Sequence, residues 1–154
     1  MPAIPPQTTR SLLITGCSSG IGHAAAHAMA GRGWRVFATA RREADVARLR
    51  EEGFEALTLD LASSASIAAA VAEVAERTGG TLTALFNNGA YGQPGAVEDL
   101  TREVLSAQLE TNLLGTHELT VRVLAMMRAQ GHGRIVQNSS VLGLVALPYR
   151  GAYV

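Results

Sequence analysis

Leu12-Leu13-Ile14-Thr15-Gly16-Cys17-Ser18-Ser19-Gly20-Ile21-Gly22 is a short apolar run that breaks into glycines and serines and then resumes with helical spacing. Gly16, Gly20 and Gly22 are spaced G-x-x-x-G-x-G, a variant of the dinucleotide fingerprint. A tight strand-to-helix turn needs residues without a Cβ, and a pyrophosphate must approach bare backbone. The helix N-terminus then supplies free N–H groups and a partial positive charge. Ser18 and Ser19 add hydroxyl donors. An ordinary Gly/Ser turn has the same composition; the strand before and the helix after favour a phosphate cradle.

Outward from this turn, short apolar runs alternate with stretches of helical period. Residues 12–15, 35–39, 56–59, 82–86 and 134–137 read as five strands, each bounded by Gly, Asp, Asn or Ser. Ile21, Ala24, Ala25, Ala28 and Met29 share one face of a first helix. Residues 43–52 form a shorter, charged one. Ile67, Val71 and Val74 make a third stripe, with Ser63, Ser64 and Ser66 as N-cap candidates. Residues 101–130 carry a long pattern through Leu105, Leu109, Leu113, Val123 and Met127. Thr101 and Glu103 mark its start, Gly115 interrupts it, and Met126 and Met127 read as core filler. The alternation predicts an α/β fold, a doubly wound parallel sheet with helices on both faces.

Composition narrows the function classes. A chain of 154 residues, 47% hydrophobic and 17% charged, suffices for one globular domain. Residues 1–9 read as a flexible tail without a signal sequence and 10–154 as the domain. Lys+Arg and Asp+Glu balance at 13 each, so no basic footprint marks a nucleic acid or an anionic membrane as partner. No apolar run reaches the roughly 20 residues of a membrane span. The single cysteine, Cys17, excludes an internal disulfide and fits a reducing compartment. A soluble cytoplasmic protein is the expectation. Cys17 sits at a helix start, which favours a thiolate, but a reactive role is not the reading taken. His23 and His27, at i and i+4, have the spacing to share a metal. No further ligand stands near them in sequence, so no metal is expected. His117 and His132 have no partner pattern.

The tip of the second strand reads Ala38-Thr39-Ala40-Arg41-Arg42. A carboxylate here would bind the adenosine ribose hydroxyls; two guanidiniums suit a 2′-phosphate instead. NADP(H) is therefore expected over NAD(H), with Arg41 the better candidate and Arg42 second. The other reading is a solvated basic pair. Asp60, followed by Leu61, ends the third strand, either to accept from the adenine amino group or to cap the next helix.

Together these features resemble the classical short-chain dehydrogenase/reductase family from about Arg10 onward. Thr15 to Gly22 is similar to its Thr-Gly-x-x-x-Gly-x-Gly. Asn87-Asn88-Gly89-Ala90 resembles its Asn-Asn-Ala-Gly, with the last two residues exchanged. Asn112 falls where the family has an asparagine, Ser139-Ser140 where it has its serine, and Tyr153 lies 13 residues after Ser140, the family's Ser-to-Tyr spacing.

The resemblance implies a Rossmann-type sheet of order 3-2-1-4-5, with further strands after those present. It implies a cofactor site at Gly16, Ser18, Ser19, Gly20, Ile21, Gly22, Arg41, Arg42, Asp60, Leu61, Asn88, Gly89 and Ala90, and catalysis by Asn112, Ser140 and Tyr153. The nicotinamide exchanges hydride with an alcohol or ketone while the protein supplies a proton. A free phenol, with a pKa near 10, sits about three units too high for easy exchange at neutral pH, and a neighbouring ammonium lowers it. By resemblance Tyr153 is the acid/base, Ser140 binds the substrate oxygen with Ser139 as runner-up, and Asn112 holds a helix kink and a relaying water. The pattern's lysine would stand three residues after Val154. Tyr153, one residue from the end of the sequence, is expected to be loosely held. The partner is a small-molecule alcohol or carbonyl compound. The apolar stretch 141–149 (Leu142, Leu144, Val145, Leu147) points to a lipophilic one. The family habit is homo-oligomeric. Three readings stand: the N-terminal part of an active reductase, a catalytically silent nucleotide-binding module, and a non-functional product that aggregates.

Overall fold

The computed structural model describes residues 10–154; the expected tail at 1–9 lies outside the described residues. The strands are β1 (Ser11–Ile14), β2 (Arg35–Ala40), β3 (Glu55–Thr58), β4 (Ala84–Asn87) and β5 (Arg134–Gln137). They pair in parallel in the order β3-β2-β1-β4-β5, the expected Rossmann-type arrangement. The helices are α1 (Gly20–Ala30), α2 (Glu43–Glu51), α3 (Ser64–Thr78), α4 (Arg102–Leu109) and α5 (Thr116–Gln130). The fourth strand starts two residues later than read. Leu82 is buried, but its N–H and C=O are taken by the Gln130 carboxamide at 3.0 and 2.7 Å rather than by a neighbouring strand.

Side chains of β1 to β4 alternate and feed two cores, while β5 adds only the half-buried Ile135. Leu13, Phe37, Leu57 and Leu85 pack with Ile67 and Val74 of α3 and Leu119, Val123 and Met127 of α5. Leu12, Ile14, Val36, Ala38 and Ala56 pack with Ala26 of α1 and Val46 and Leu49 of α2. Each large side chain removed from water contributes about 1.5–3 kcal/mol. Burial on both faces is why the strands read as unbroken apolar runs rather than alternating ones.

Two helix readings need correction. The buried residues of α1 are Gly22 and Ala26, while Ile21 is 62% exposed and Ala24 and Ala28 are exposed. Alanine surrounds this helix, so composition defines no single apolar stripe, and the smallest residues take the close approach to the sheet. The segment 101–130 is not one helix. Thr101 caps α4, its hydroxyl accepting from Val104 N–H, and a π turn at Glu110–Gly115 separates α4 from α5. An i→i+5 turn advances the chain by an extra residue and rotates the face presented to the sheet. Leu105 and Leu109 before that turn and Leu113 within it are exposed, whereas Leu119, Val123 and Met127 after it are core. Ser63 is the N-cap of α3, accepting from Ser66 N–H. No helix among the described residues is long and apolar enough to cross a membrane.

Candidate functional site

The chain runs outward from β1 to β3 and then crosses back to β4, so a crevice opens beyond the carboxyl ends of the strands at the switch point between β1 and β4. A cleft of about 700 Å³ occupies it, within the range of ligand sites. Four strand tips contribute: Thr15 and Gly16 after β1, Arg41 after β2, Asp60 and Leu61 after β3, Gly89 and Ala90 after β4. Ser18 lies at one end, and Tyr91 and Thr111 line it as well.

The glycine turn is built by close approach. Gly16 has φ +71°, and a Cβ there would stand 2.8 Å from Gly89 Cα. A Cβ on Gly22 would stand 2.3 Å from Gly16 O and 2.6 Å from Asn88 Nδ2. Asn88 ties the two strand tips together: its Nδ2 donates to Thr15 O at 3.0 Å and to Gly16 O at 3.3 Å. The Thr15 hydroxyl accepts from Asn88 N–H at 2.9 Å and Gly89 N–H at 2.7 Å. Gly89 itself is tight, since a Cβ would meet Thr15 and Leu61 atoms at 3.2 Å; the glycine-first order of Gly89-Ala90 relieves that contact. Ser19, Gly20 and Ile21 are exposed at the start of α1. A bare-backbone cradle at a helix N-terminus fits a dinucleotide pyrophosphate.

The two arginines of the β2 tip part company. Arg42 donates to Asp45 Oδ2 at 2.8 Å across the first turn of α2, which holds the Asp45 carboxyl below its ordinary value. Arg41 lines the cleft, exposed and without a hydrogen-bond or ion-pair partner among the described residues. Asp60 does not cap α3, whose N-cap is Ser63: its Oδ1 accepts from Ala62 N–H at 3.0 Å in the loop before that helix, and the residue borders the cleft. Cys17 does not become a thiolate. It is fully buried beneath the turn, and burial pushes its thiol up to about 12.

On the far side of the cleft Asn112 sits inside the π turn. Its Nδ2 donates to Tyr91 O at 2.7 Å and its Oδ1 accepts from Tyr91 N–H at 3.1 Å. Gln108, one turn earlier and buried, donates to the same Tyr91 O at 2.8 Å and accepts from Gln93 N–H at 2.8 Å. These two carboxamides fix the strip from Tyr91 to Gln93 along the cleft. Tyr153 lies against that strip: a Cβ on Gly92 would touch its ring at 3.6 Å. Tyr153 is half-buried in a turn, its N–H donating to Arg150 O at 2.8 Å, so it is not the loose residue expected. Gly95 N–H donates to Tyr149 O at 3.0 Å, docking the segment after β5 on the same strip. Ser140 caps the turn Val141–Gly143, its hydroxyl accepting from Leu142 N–H at 3.1 Å. Among the described residues no hydrogen bond joins Ser140, Asn112 and Tyr153 to one another.

Sequence reasoning missed Thr15, Gln108 and Arg48, whose guanidinium donates to Ser18 O at 2.6 Å and braces the glycine turn. For Gln108 a signal was present: it stands at i−4 from Asn112, so two carboxamides share one helical face. For Arg48 none was, because the contact spans 30 residues.

Comparison with known proteins places this geometry. The sequence matches the short chain dehydrogenase family over residues 10–154. It is 42% identical over 144 residues to an uncharacterized oxidoreductase, YbbO, of Escherichia coli (strain K12), covering 94% of this chain and 54% of that protein. The crystal structure of a short-chain dehydrogenase from Streptomyces avermitilis superposes with a TM-score of 0.88 at 33% identity, covering 96% of this chain and 55% of the other. An actinorhodin polyketide ketoreductase variant, crystallised with NADPH, gives 0.86 at 37% identity, covering 94% and 58%. The chain thus spans about half the length of the curated relatives it matches. With the family matched from Arg10 to Val154, this chain belongs to the short chain dehydrogenases.

Proposed function

We propose that the protein is an NADP(H)-preferring oxidoreductase acting on a small alcohol or carbonyl compound. The observation that carries the cofactor reading is Arg41. It stands at the β2 tip inside the cleft with no hydrogen-bond or ion-pair partner among the described residues, while Arg42 beside it is already paired. A planar guanidinium free to take a phosphate bidentately suits the 2′-phosphate. Gly16, Ser18 and the first turn of α1 hold the pyrophosphate, and Asp60 borders the adenine end.

The nicotinamide, when bound, supplies hydride exchange. The chain's own residues supply the rest. Tyr153 gives or takes the proton at the substrate oxygen, and Ser140 donates a hydrogen bond to that oxygen. Asn112 fixes Tyr91 and Gly92 beneath Tyr153 and keeps one further N–H and one lone pair for a water. The exposed apolar side chains Leu144, Val145 and Leu147 favour a lipophilic substrate. We assign turnover to a longer protein that includes the family's lysine position, three residues after Val154. The second reading, a catalytically silent nucleotide-binding module, differs only in lacking turnover there.

Titrating NADPH and NADH into the protein tests the cofactor reading. NADPH is expected to bind about tenfold or more tightly than NADH, and Arg41→Ala to remove that preference while sparing NADH affinity. Equal affinities in the unmodified protein would overturn the preference. NADPH consumption with an aliphatic ketone, in the protein extended through the lysine position, separates enzyme from silent module.

A further inference from the structure

We propose that His23, His27 and Glu52 form a binding site for a single zinc-class transition-metal ion that joins α1 to α2. The two histidines lie one turn apart on α1, and Glu52 is the residue that closes α2. Sequence alone offered only two ligands; the fold supplies the third from 25 residues away. Both Nε2 atoms point at the same carboxylate oxygen: His23 Nε2 is 2.7 Å and His27 Nε2 3.0 Å from Glu52 Oε2. The three candidate ligand atoms all lie within 4.8 Å of one another. Tetrahedral zinc with ligands at about 2.0–2.1 Å needs donor separations near 3.3 Å, so small side-chain rotations suffice.

Three features point to a cation rather than to a hydrogen-bonded cluster alone. Two imidazole nitrogens and one carboxylate oxygen are a recurrent zinc donor set that leaves the fourth position to water. Glu52 stands at the C-terminal pole of α2, where the helix dipole disfavours a carboxylate and favours positive charge. The imidazoles are held in place, with ring centroids 4.7 Å apart at 71° and His27 edge-on to the buried Phe54 ring at 4.8 Å. Arg48 Nε, 3.6 Å from Glu52 Oε1, leaves Oε2 to the histidines. The donor set is imidazole-rich, which selects zinc, cobalt, nickel or copper over magnesium or calcium. The site uses none of the residues assigned to cofactor or substrate.

The experiment is calorimetric titration of zinc chloride into the EDTA-stripped whole chain, followed by cobalt(II) as a spectroscopic probe. One saturable site per chain is expected, with visible cobalt bands of tetrahedral intensity and a rise in Tm on adding zinc. His23→Gln, His27→Gln and Glu52→Gln should each weaken zinc binding about tenfold or more and abolish the cobalt bands. Melting in EDTA shows whether each variant is folded, and any one folded variant suffices. Absence of saturable zinc binding, or undiminished affinity in a folded variant, would overturn the site.

Discussion

Gly22 illustrates how little space the glycine turn leaves. A methyl group there would stand 2.3 Å from Gly16 O and 2.9 Å from Gly16 C, both backbone atoms of the strand-to-helix turn. Backbone cannot step aside as a flexible side chain can, so the turn that receives the pyrophosphate must shift. Overpacking of this kind costs about 1–3 kcal/mol. Gly22→Ala is therefore expected to weaken NADPH binding roughly tenfold to a hundredfold and to lower Tm by several degrees. An unchanged dissociation constant would show that this turn does not hold the phosphates. Cys17, beneath the same turn, makes the opposite kind of point. It is fully buried, donates weakly to Ile14 O at 3.4 Å, and is pushed up to about 12. A disulfide reagent such as dithionitrobenzoate at pH 8 should leave the folded chain unmodified and label it at once in denaturing urea. Rapid labelling of the folded chain would mean that the turn opens.

At the scale of elements, α5 meets the β3 tip through Gly115, the last residue of the π turn. A Cβ on Gly115 would stand 1.8 Å from Leu61 O, which leaves no conformation for alanine without separating helix from loop. Gly115→Ala is expected to cost about 3 kcal/mol, read as a lower urea midpoint, and to weaken cofactor binding because Leu61 lines the cleft. A midpoint unchanged within error would sink the packing argument. Gly115 was legible in sequence only as an interruption of a long helical pattern. The π turn itself was not legible, because an extra residue per turn leaves the composition untouched while rotating every later side chain. That is why one continuous stripe could not be carried across it: Leu105 and Leu109 before the turn are exposed, while Leu119, Val123 and Met127 after it are core. The sheet was far more legible. Strands buried on both faces announce themselves as short apolar runs; most boundaries fell within one residue, and the two-residue miss at Leu82 arose because it is diverted to the Gln130 carboxamide. Site residues on strand tips and the glycine turn could be read from spacing. Partners brought in by topology could not: Arg48 on Ser18, and Glu52 on the two histidines.

For the molecule as a whole, the two ends of the sheet do different work. The carboxyl ends of the strands open onto the cleft, while the amino ends of β2 and β3 are tied together by charge. Arg35 opens β2 and Glu55 opens β3. The Arg35 guanidinium donates to both carboxylate oxygens of Glu55, at 2.5 and 2.9 Å, and to Arg77 O at the end of α3 at 2.7 Å. Arg77 adds a longer contact to Glu55 at 3.4 Å. The Arg35 hydrogen bonds, with its charge and that of Arg77, hold the Glu55 carboxyl below its ordinary value of 4.5. A carboxyl whose value is lowered by folding stabilises the fold fully above its unfolded value. That contribution is lost as pH falls through the lowered, folded value. Because the pair is about one-third exposed, its worth at neutral pH is modest, about 0.5–1 kcal/mol. Glu55→Gln should therefore lower the urea midpoint slightly at pH 7 and leave NADPH affinity unchanged, since the pair lies at the opposite end of the sheet from the cleft. As pH is taken from 7 toward 3, the unmodified chain should lose more stability than the variant, so the two curves converge below about pH 4.5. Parallel curves over that range would mean that Glu55 titrates as it does in the unfolded chain. In that case the tie between β2, β3 and α3 would rest on the parallel β2–β3 ladder and on the Arg35 hydrogen bond to Arg77 O rather than on the Glu55 charge.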